Sequence, residues 1–546
     1  MNRKIKDNLF AAVITAFVIA LVVLVNVVLY SLTAINGWYF AYAEELDLTV
    51  SGNTRELFAE AEKQGRKVNI IFCMPKDELA LHSTGRDVLD TAEQIERLHP
   101  DFIDVRFYNI RTKQDDKGNL YKYDDRGNLC YKDVDGKKEP IPVFETYEKD
   151  MLGNENLLHR GSVIFSSMAY DAAGNYREDY IVLSNQYSGV PFVDFYHIDA
   201  EGYITAYIGE EVIASMVLWT LAPEHKVAYF TSGHGESVDI AFTGMLTRAG
   251  YYIKSLDLLR SDLYLPADSD GDGITDKREG LDLSSAGLVI ISNPTSDFAK
   301  GAENLRTEIE KLTEYLEKYG GSLYVSLDPY ADPLPNLEAL ISKYGIAVAQ
   351  SENGDGRLMR HVIKDPSNAI TTDGYTFVAN YADNEIGKAL AEKTDRYVSD
   401  DVVIKNSGEL VLSGAAKPVL VTSSSADALV DGRVVESSEQ FCVAAFSERT
   451  VNGVSSRIFV ASDVYLTASD AVISDNYANR GFTYALFENL LGAHTAPYGC
   501  RTVPYSTGRL EDLTMGTARL YTVLIMAIPA VIAAVGFVIN KRRKNR

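Results

Sequence analysis

Lys226-Val-Ala-Tyr-Phe-Thr-Ser-Gly-His-Gly-Glu236, near the middle of the chain, decides the class of fold. The run from Val227 to Thr231 is apolar, β-branched and aromatic, and it stops at two glycines around His234. An amphipathic segment from Val238 to Arg248 follows. Strand, tight turn and helix in that order open a parallel α/β unit. In open sheets of this kind ligands sit in the crevice at the strand's carboxyl end, which places Gly233, His234, Gly235 and Glu236 where a ligand or a partner would be contacted.

Downstream the pattern repeats. Ile253 to Leu258 and Leu288 to Ser292 read as strands, and Asn293-Pro294 turns the chain. Asn304 to Tyr319 is an amphipathic helix with Leu305, Ile309, Leu312, Tyr315 and Leu316 inward. Gly320-Gly321 caps it, and Ser322 to Leu327 is the next strand, ending at Asp328-Pro329. Strand and helix alternate with short connections, so a parallel, right-handed sheet is expected. Leu337 to Tyr344 is a further helix. Val419 to Thr422 and Phe441 to Phe446 are strands with a polar, turn-rich section between them. Arg457 to Ala461 is a last buried strand, followed by Ser462-Asp463. Asn479 to Leu491 is a helix with Phe482, Ala485, Leu486 and Leu490 on its core side. These elements make a second α/β region over 225–515.

Upstream, 44–222 reads as a first α/β domain. Asn53 to Phe58 has cap and helix character. Lys67 to Met74 is a buried strand, Asp87 to Leu98 a helix with Val88, Leu89, Ala92, Ile95 and Leu98 on one face, and Ile103 to Tyr108 a second strand. The three form one βαβ unit. Residues 111–160 are rich in Lys, Asp, Gly and Tyr. Asp116-Lys-Gly-Asn, Asp125-Arg-Gly-Asn and Asp135-Gly-Lys mark hairpin turns in a β-rich surface excursion, preferred here to a repeat-based binding module. Strands resume at Ser162 to Ser166 and Asp179 to Leu183. A helix from Gly209 to Leu221 runs to a boundary at Ala222-Pro223-Glu224.

The ends carry the signals of location. Leu9 to Leu32 is nearly uninterrupted Ala, Val, Ile, Leu and Phe, and Leu520 to Ile539 is a second such run. About 20 apolar residues cross a bilayer, so spans are expected at 9–34 and 520–539. Arg3, Lys4 and Lys6 lie in a tail of residues 1–8, and five basic residues lie in the tail 540–546. The positive-inside rule puts both tails in the cytoplasm and the large region between them outside it, an integral cell-membrane protein with two spans. A cleaved signal peptide competes through Ala41-Tyr42-Ala43, but bulky Trp38-Tyr39-Phe40 sits where a cleavage region is small and polar. The formal net charge of −23, with both tails basic, leaves a strongly acidic exterior, which excludes nucleic acid as a partner.

One motif is specific. Asp268-Ser-Asp-Gly-Asp-Gly-Ile-Thr-Asp-Lys-Arg-Glu279 sets acids at loop positions 1, 3, 5, 9 and 12 with glycine at 6, the spacing of an EF-hand calcium loop. Asp268, Asp270 and Asp272 would each give an oxygen, Ile274 its carbonyl, Asp276 a direct or water-bridged contact and Glu279 both oxygens. Pro266 precludes a regular entering helix, so a structural Ca2+ bracing an insertion at 266–282 is expected. Cys73, Cys130, Cys442 and Cys500 are far apart and suggest no metal site, and Cys73 and Cys442 read as buried thiols. The sequence contains no HExxH, no G-x-x-x-x-G-K-[ST] for ATP and no G-x-S-x-G nucleophile elbow.

Several short marks occur together: Leu46-Asp-Leu-Thr49 outside the first span, Asn53-Thr54 opening a helix, and Thr231-Ser-Gly-His-Gly-Glu236 after a strand. Ile291-Ser-Asn-Pro294, Tyr319-Gly-Gly321, Asp328-Pro329, Ser462-Asp463 and Asn479 to Asn489 follow in order. In these the chain resembles the auxiliary, gliding-motility-type component of ABC-2 transport systems. The resemblance implies a non-catalytic, membrane-tethered partner of a separate ATPase and permease. It also implies α/β domains similar to the glutamine amidotransferase-like group without its catalytic residues. The calcium loop departs from the family pattern. Two other classes stay open: an extracytoplasmic enzyme using His234 and Glu236, and a calcium-stabilised envelope scaffold or adhesion protein.

Overall fold

Ser51, two residues before the expected cap, starts the first helix: its hydroxyl accepts from Thr54 N–H and α1 runs over Gly52–Glu62. The computed structural model describes residues 48–505 apart from 125, 135, 151–154, 171–175, 185–190, 199–201, 223–224, 266–279, 299–305, 395–398, 475, 493–496 and 498. Both apolar end runs and the whole of Asp268 to Glu279 fall outside the described residues. Among the described residues no helix is long and apolar enough to cross a membrane.

Strand β1 (Val68–Phe72) is buried throughout, and α2 (Ser83–Leu98) returns the chain to β2 (Ile103–Phe107), which pairs parallel to β1 with Val68 opposite Ile103. The helix starts four residues earlier than its apolar stripe suggests. Val88, Leu89, Ala92 and Ile95 are buried, each worth roughly 1–3 kcal/mol. Leu98, expected beside them, is the helix's last residue and is 40% exposed. The 111–160 segment holds one hairpin, β3 (Tyr131–Val134) with β4 (Lys137–Pro140). Two of its other turns are built alike, and their holding aspartates are Asp115 and Asp124, one residue before those the spacing suggests. Asp115 Oδ1 accepts from Lys117 and Asn119 N–H, Asp124 Oδ1 from Arg126 and Asn128 N–H. Gly118 and Gly127 sit at φ 80° and 79°. Strands β5 (Val163–Tyr170) and β6 (Tyr176–Leu183) complete a four-stranded sheet of order β2-β1-β5-β6, with β5 antiparallel to β1.

Helix α3 (Gly209–Leu221) is buried around nearly all of its surface. A helix apolar on every side belongs between layers. It packs on α1, α2, β5 and β6, and also on α4 (Ile240–Arg248) of the next sheet, so it joins two sheets within the compact unit Leu48–Val503.

The second sheet has eleven strands. Its path begins with β7 (Lys226–Thr231) and β8 (Tyr251–Leu256). Outside this path β9 (Asp262–Tyr264) pairs parallel with β10 (Gly280–Asp282). The main path continues with β11 (Ala286–Ser292), β12 (Ser322–Ser326), β13 (Thr376–Tyr381), β14 (Val402–Lys405) and β15 (Lys417–Val421). A hairpin of β16 (Ala426–Val430) and β17 (Arg433–Glu439) lies in a separate small sheet, and β18 (Cys442–Val451) and β19 (Val454–Ala461) close the main one. The order is β8-β7-β11-β12-β19-β18-β15-β13-β14, with Leu410–Leu412 pairing β18 and Ile346–Val348 pairing Leu410–Leu412 off this path. The first five are parallel, as alternating strands and helices require. The other four are antiparallel, against the expectation of a parallel sheet. Asn452-Gly453 explains the reversal: φ of 52° and 85° makes a two-residue turn that can only return the chain antiparallel. Asp431-Gly432, at 51° and 73°, does the same in the section read as merely polar and turn-rich.

Alternation along the strands feeds two cores. Ala228, Phe230 and Tyr324 meet Phe242, Met245 and Leu246 of α4 and Phe482 and Leu486 of the helix Asn479–Asn489. On the other face Val227, Tyr229, Leu323 and Val325 meet Leu312, Tyr315 and Leu316 of the helix Glu308–Tyr319 and Leu337, Leu340 and Ile341 of the helix Pro335–Ser342. The architecture is mixed α/β with helices on both faces of the large sheet.

Candidate functional site

The ends of β7, β11, β12 and β19 lie side by side, Ser292 opposite Ser326 and Ser326 opposite Ala461. The His234 loop, Asn293, Asp328-Pro329 and Ser462-Asp463 therefore share one carboxyl edge. Gly233 and Gly235 take φ of 115° and 74°, which glycine adopts at low cost. A Cβ on Gly235 would collide with Thr295 Oγ1. The His234 carbonyl accepts from Thr295 and Ser296 N–H at 2.9 and 3.0 Å, and its own N–H donates to Glu236 Oε2 at 2.7 Å.

The His234 side chain turns into the protein. Its ring stacks on Phe298 at 4.1 Å and its Nε2 lies 3.0 Å from Glu308 Oε1. His234 is 5% exposed and Glu308 is fully buried at the first position of its helix. The sequence put Ile309 inward; Ile309 is only partly buried and the carboxylate takes the inner place. The hydrogen bond to Glu308 holds the imidazole above its ordinary pKa; burial opposes this, and the charges of Glu308 and Glu236 and the Asp297 backbone add to the rise. Favoured as the cation, and with Nε2 committed to Glu308, this ring is not a free general base.

The crevice itself is a cavity of about 380 Å³ between the ends of β7 and β8. Ser232, Glu236, Thr243, Lys254 and Ser255 line it, and His234 is absent from the lining. Ser255 Oγ donates to Ser232 Oγ at 3.2 Å. The lining offers polar groups of both kinds, hydroxyls, a carboxylate and an ammonium. Glu236 Oε1 and Glu308 Oε2 have no partner among the described residues.

Farther along the edge, Asp463 is fully buried. Burial pushes its carboxyl up to about 7, against the pull of N–H donors from Lys405 and Leu466. These bonds tie β14 to the end of β19, a structural task. Sequence reading missed one cluster here. His361 Nδ1 lies 2.7 Å from Glu409 Oε2, its Nε2 lies 2.8 Å from Ser351 Oγ, and Glu436 brings a third ligand atom within 4.8 Å. The three residues are too far apart in sequence for any spacing to reveal them, and with both ring nitrogens engaged a metal would have to displace a bond.

The predicted calcium ligands Asp268, Asp270, Asp272, Ile274, Asp276 and Glu279 lie outside the described residues. Their flanks are described: β9 and β10 pair parallel, Tyr264 opposite Asp282, so the ends of the insertion are clasped together. Cys73 is buried as expected, whereas Cys442 is only partly buried and the unremarked Cys500 is buried. Burial pushes the thiols of Cys73 and Cys442 up to about 12, which leaves them unreactive.

No protein-family model matches the chain, and no curated protein matches it. Among solved structures, the N-terminal domain of mmIFT52 is similar at a TM-score of 0.33 and 17% identity, over 50% of this chain and 100% of that one. A cytoplasmic protein from Salmonella typhimurium gives 0.27 and 12%, over 48% and 98%. PurLQS from Thermotoga maritima gives 0.25 and 13%, over 48% and 98%. Similarities this weak carry no argument about what the chain does.

Proposed function

We propose that this protein is a non-catalytic accessory subunit of an ABC-2-type transporter, held in the cell membrane by spans at 9–34 and 520–539 and acting through a separate ATPase and permease. Its α/β regions belong, on this reading, to the glutamine amidotransferase-like group. The observation that carries the reading is the His234 loop. A histidine at the place where an α/β enzyme would keep its chemistry is instead locked inward on Phe298 and Glu308, away from the crevice beside it. Two spans cannot form a permeation path alone, and the sequence has no nucleotide loop, so work on a substrate has to pass through partners. Ca2+ in the 268–279 loop serves as a brace for the clasped insertion.

The test is affinity purification of the full-length chain from membranes in mild detergent. Recovery of an ATPase and a multi-span permease is expected; a chain that emerges alone under conditions preserving other membrane complexes overturns the reading. His234→Ala separates it from the enzyme class. The accessory reading expects a lower melting temperature, because a buried bond and a stacked ring are lost. An unchanged melting curve with total loss of the cellular phenotype would favour catalysis.

A further inference from the structure

The 111–160 segment covers one face of the four-stranded sheet and leaves a cavity of about 460 Å³ beneath its turns, within the range of small-molecule sites. Asn69 and Ile71 of β1, Arg106 of β2, Tyr108 just after it and Met168 of β5 form the floor. Asp115, Asp116, Lys117 and Asn119 of one matched turn and Asp124 and Gly127 of the other form the roof, and Lys122, Val143 and Tyr147 one wall. Ile71, Tyr108, Val143 and Tyr147 carry the apolar core of this face into the cavity, and Asn69, Arg106 and Lys122 add polar groups beside it.

Charge decides what fits. Arg106 is held by Asp104 at 2.7 Å, and Lys122 is ion-paired with Glu178 and lies 4.8 Å over the Tyr147 ring. Asp115 and Asp124 spend their oxygens on the N–H groups and asparagine amides of their own turns. Of the charged and tyrosine side chains in the lining, Asp116, Lys117 and Tyr123 have no ion pair or side-chain hydrogen bond among the described residues: one acceptor, one donor and one ring, with no net charge. Such a set rejects a bare anion or cation, which would meet an unmatched like charge, and suits hydroxyl groups that both donate and accept. The ring of Tyr123, 43% exposed at the mouth, offers a flat apolar face to C–H groups.

We propose that this cavity binds a neutral polyhydroxylated ligand, a sugar or short neutral glycan, with Asp116 and Lys117 reading hydroxyls and Tyr123 packing on the ring face. The site lies on a different sheet from the His234 loop and does not depend on the transporter reading. Full-length protein is purified in a zwitterionic detergent without a sugar headgroup. It is then titrated calorimetrically with cellotriose, maltotriose and triacetylchitotriose, and separately with inorganic phosphate. Saturable binding of at least one trisaccharide is expected. Tyr123→Ala and Asp116→Ala, both on exposed residues, should each weaken it about tenfold or more at an unchanged melting temperature. Absence of binding by all three trisaccharides at millimolar concentration, equal binding by both variants, or competition by phosphate would overturn the proposal.

Discussion

Replacing Glu211 with alanine should loosen the joint between the two sheets. Glu211, in the first turn of α3, is fully buried and faces Arg248 Nε of α4 at 2.8 Å and Tyr484 Oη of the helix Asn479–Asn489 at 2.7 Å, with Arg480 Nη1 at 3.8 Å. Arg248 and Arg480 side chains are 13% and 7% exposed, so removing the carboxylate strands two cations away from water. Breaking a buried pair from one side costs roughly 3–5 kcal/mol. At about 2 °C per kcal/mol, the low end for a body of this size, the melting temperature should fall by about 6–10 °C. Glu211→Gln keeps an acceptor for Tyr484 and should lose roughly 2 kcal/mol, about 4 °C. Burial pushes the Glu211 carboxyl up, but the charges of Arg248 and Arg480 outweigh it and the net shift is downward. Its contribution is therefore present above the ordinary value of 4.5 and is lost as pH falls through the lower folded value. The assay is thermal unfolding followed by near-ultraviolet circular dichroism on the full chain in detergent. An alanine variant that melts with the parent at pH 7, or melts no lower than the glutamine variant, refutes the reasoning.

Gly235→Ala puts a Cβ at φ 74° against Thr295 Oγ1 and should cost about 2–3 kcal/mol, whereas Gly118→Ala, at φ 80° in open space, should cost about 1 kcal/mol; equal melting temperatures would contradict this. Burial, and then the Arg480 charge, push His197 down to about 3 from 6.5, so its contribution is complete above pH 6.5 and drains as pH falls toward 3. The parent should lose stability between pH 6.5 and 5 and His197→Phe should lose less; identical slopes would count against it. Chelation should lower the melting temperature and added Ca2+ restore it, since an ion in the 268–279 loop would brace the insertion clasped by β9 and β10; an unchanged curve with no heat on calcium titration would remove the metal role.

Much of the frame was legible from period alone. Val227 to Thr231 alternates between the two cores, and α2, α4 and the helix Glu308–Tyr319 present the apolar stripes that the sequence displays. The antiparallel half was legible in principle, because Asn452-Gly453 and Asp431-Gly432 are the dipeptides a two-residue hairpin demands. Glu308 could not have been placed. Period-based reading sends a carboxylate outward, and what reverses that is one hydrogen bond to a histidine 74 positions away. Glu211 is the same case: its neighbours Arg248 and Tyr484 come from two other helices, so nothing local marks it as buried. The matched turns were visible as a recurrence, but the Asp that holds each lies one residue earlier because its Oδ1 must reach N–H groups two and four positions ahead.

Several of the short marks that suggested a transporter component share a physical origin. Ser237 N–H donates to the Ser292 carbonyl, Asn293 N–H to Ser326, Leu327 N–H to Ala461 and Gly408 N–H to Ser462. Four of the marks, at 231–236, 291–294, 328–329 and 462–463, sit where a parallel strand ends and its backbone has to be satisfied by the next segment, so residues there are constrained by the closure of the edge before any ligand is considered. The same holds for Gly235, which has no room for a side chain, and for Asp463, whose oxygens are consumed by Lys405 and Leu466. A loop set that spends its backbone N–H groups on closing its own edge is fixed in shape. Among the described residues four side-chain atoms of this edge keep no hydrogen-bond partner, Glu236 Oε1, Asn293 Oδ1, Glu308 Oε2 and Ser462 Oγ, so what polarity the edge retains is held by buried atoms and not by its exposed backbone.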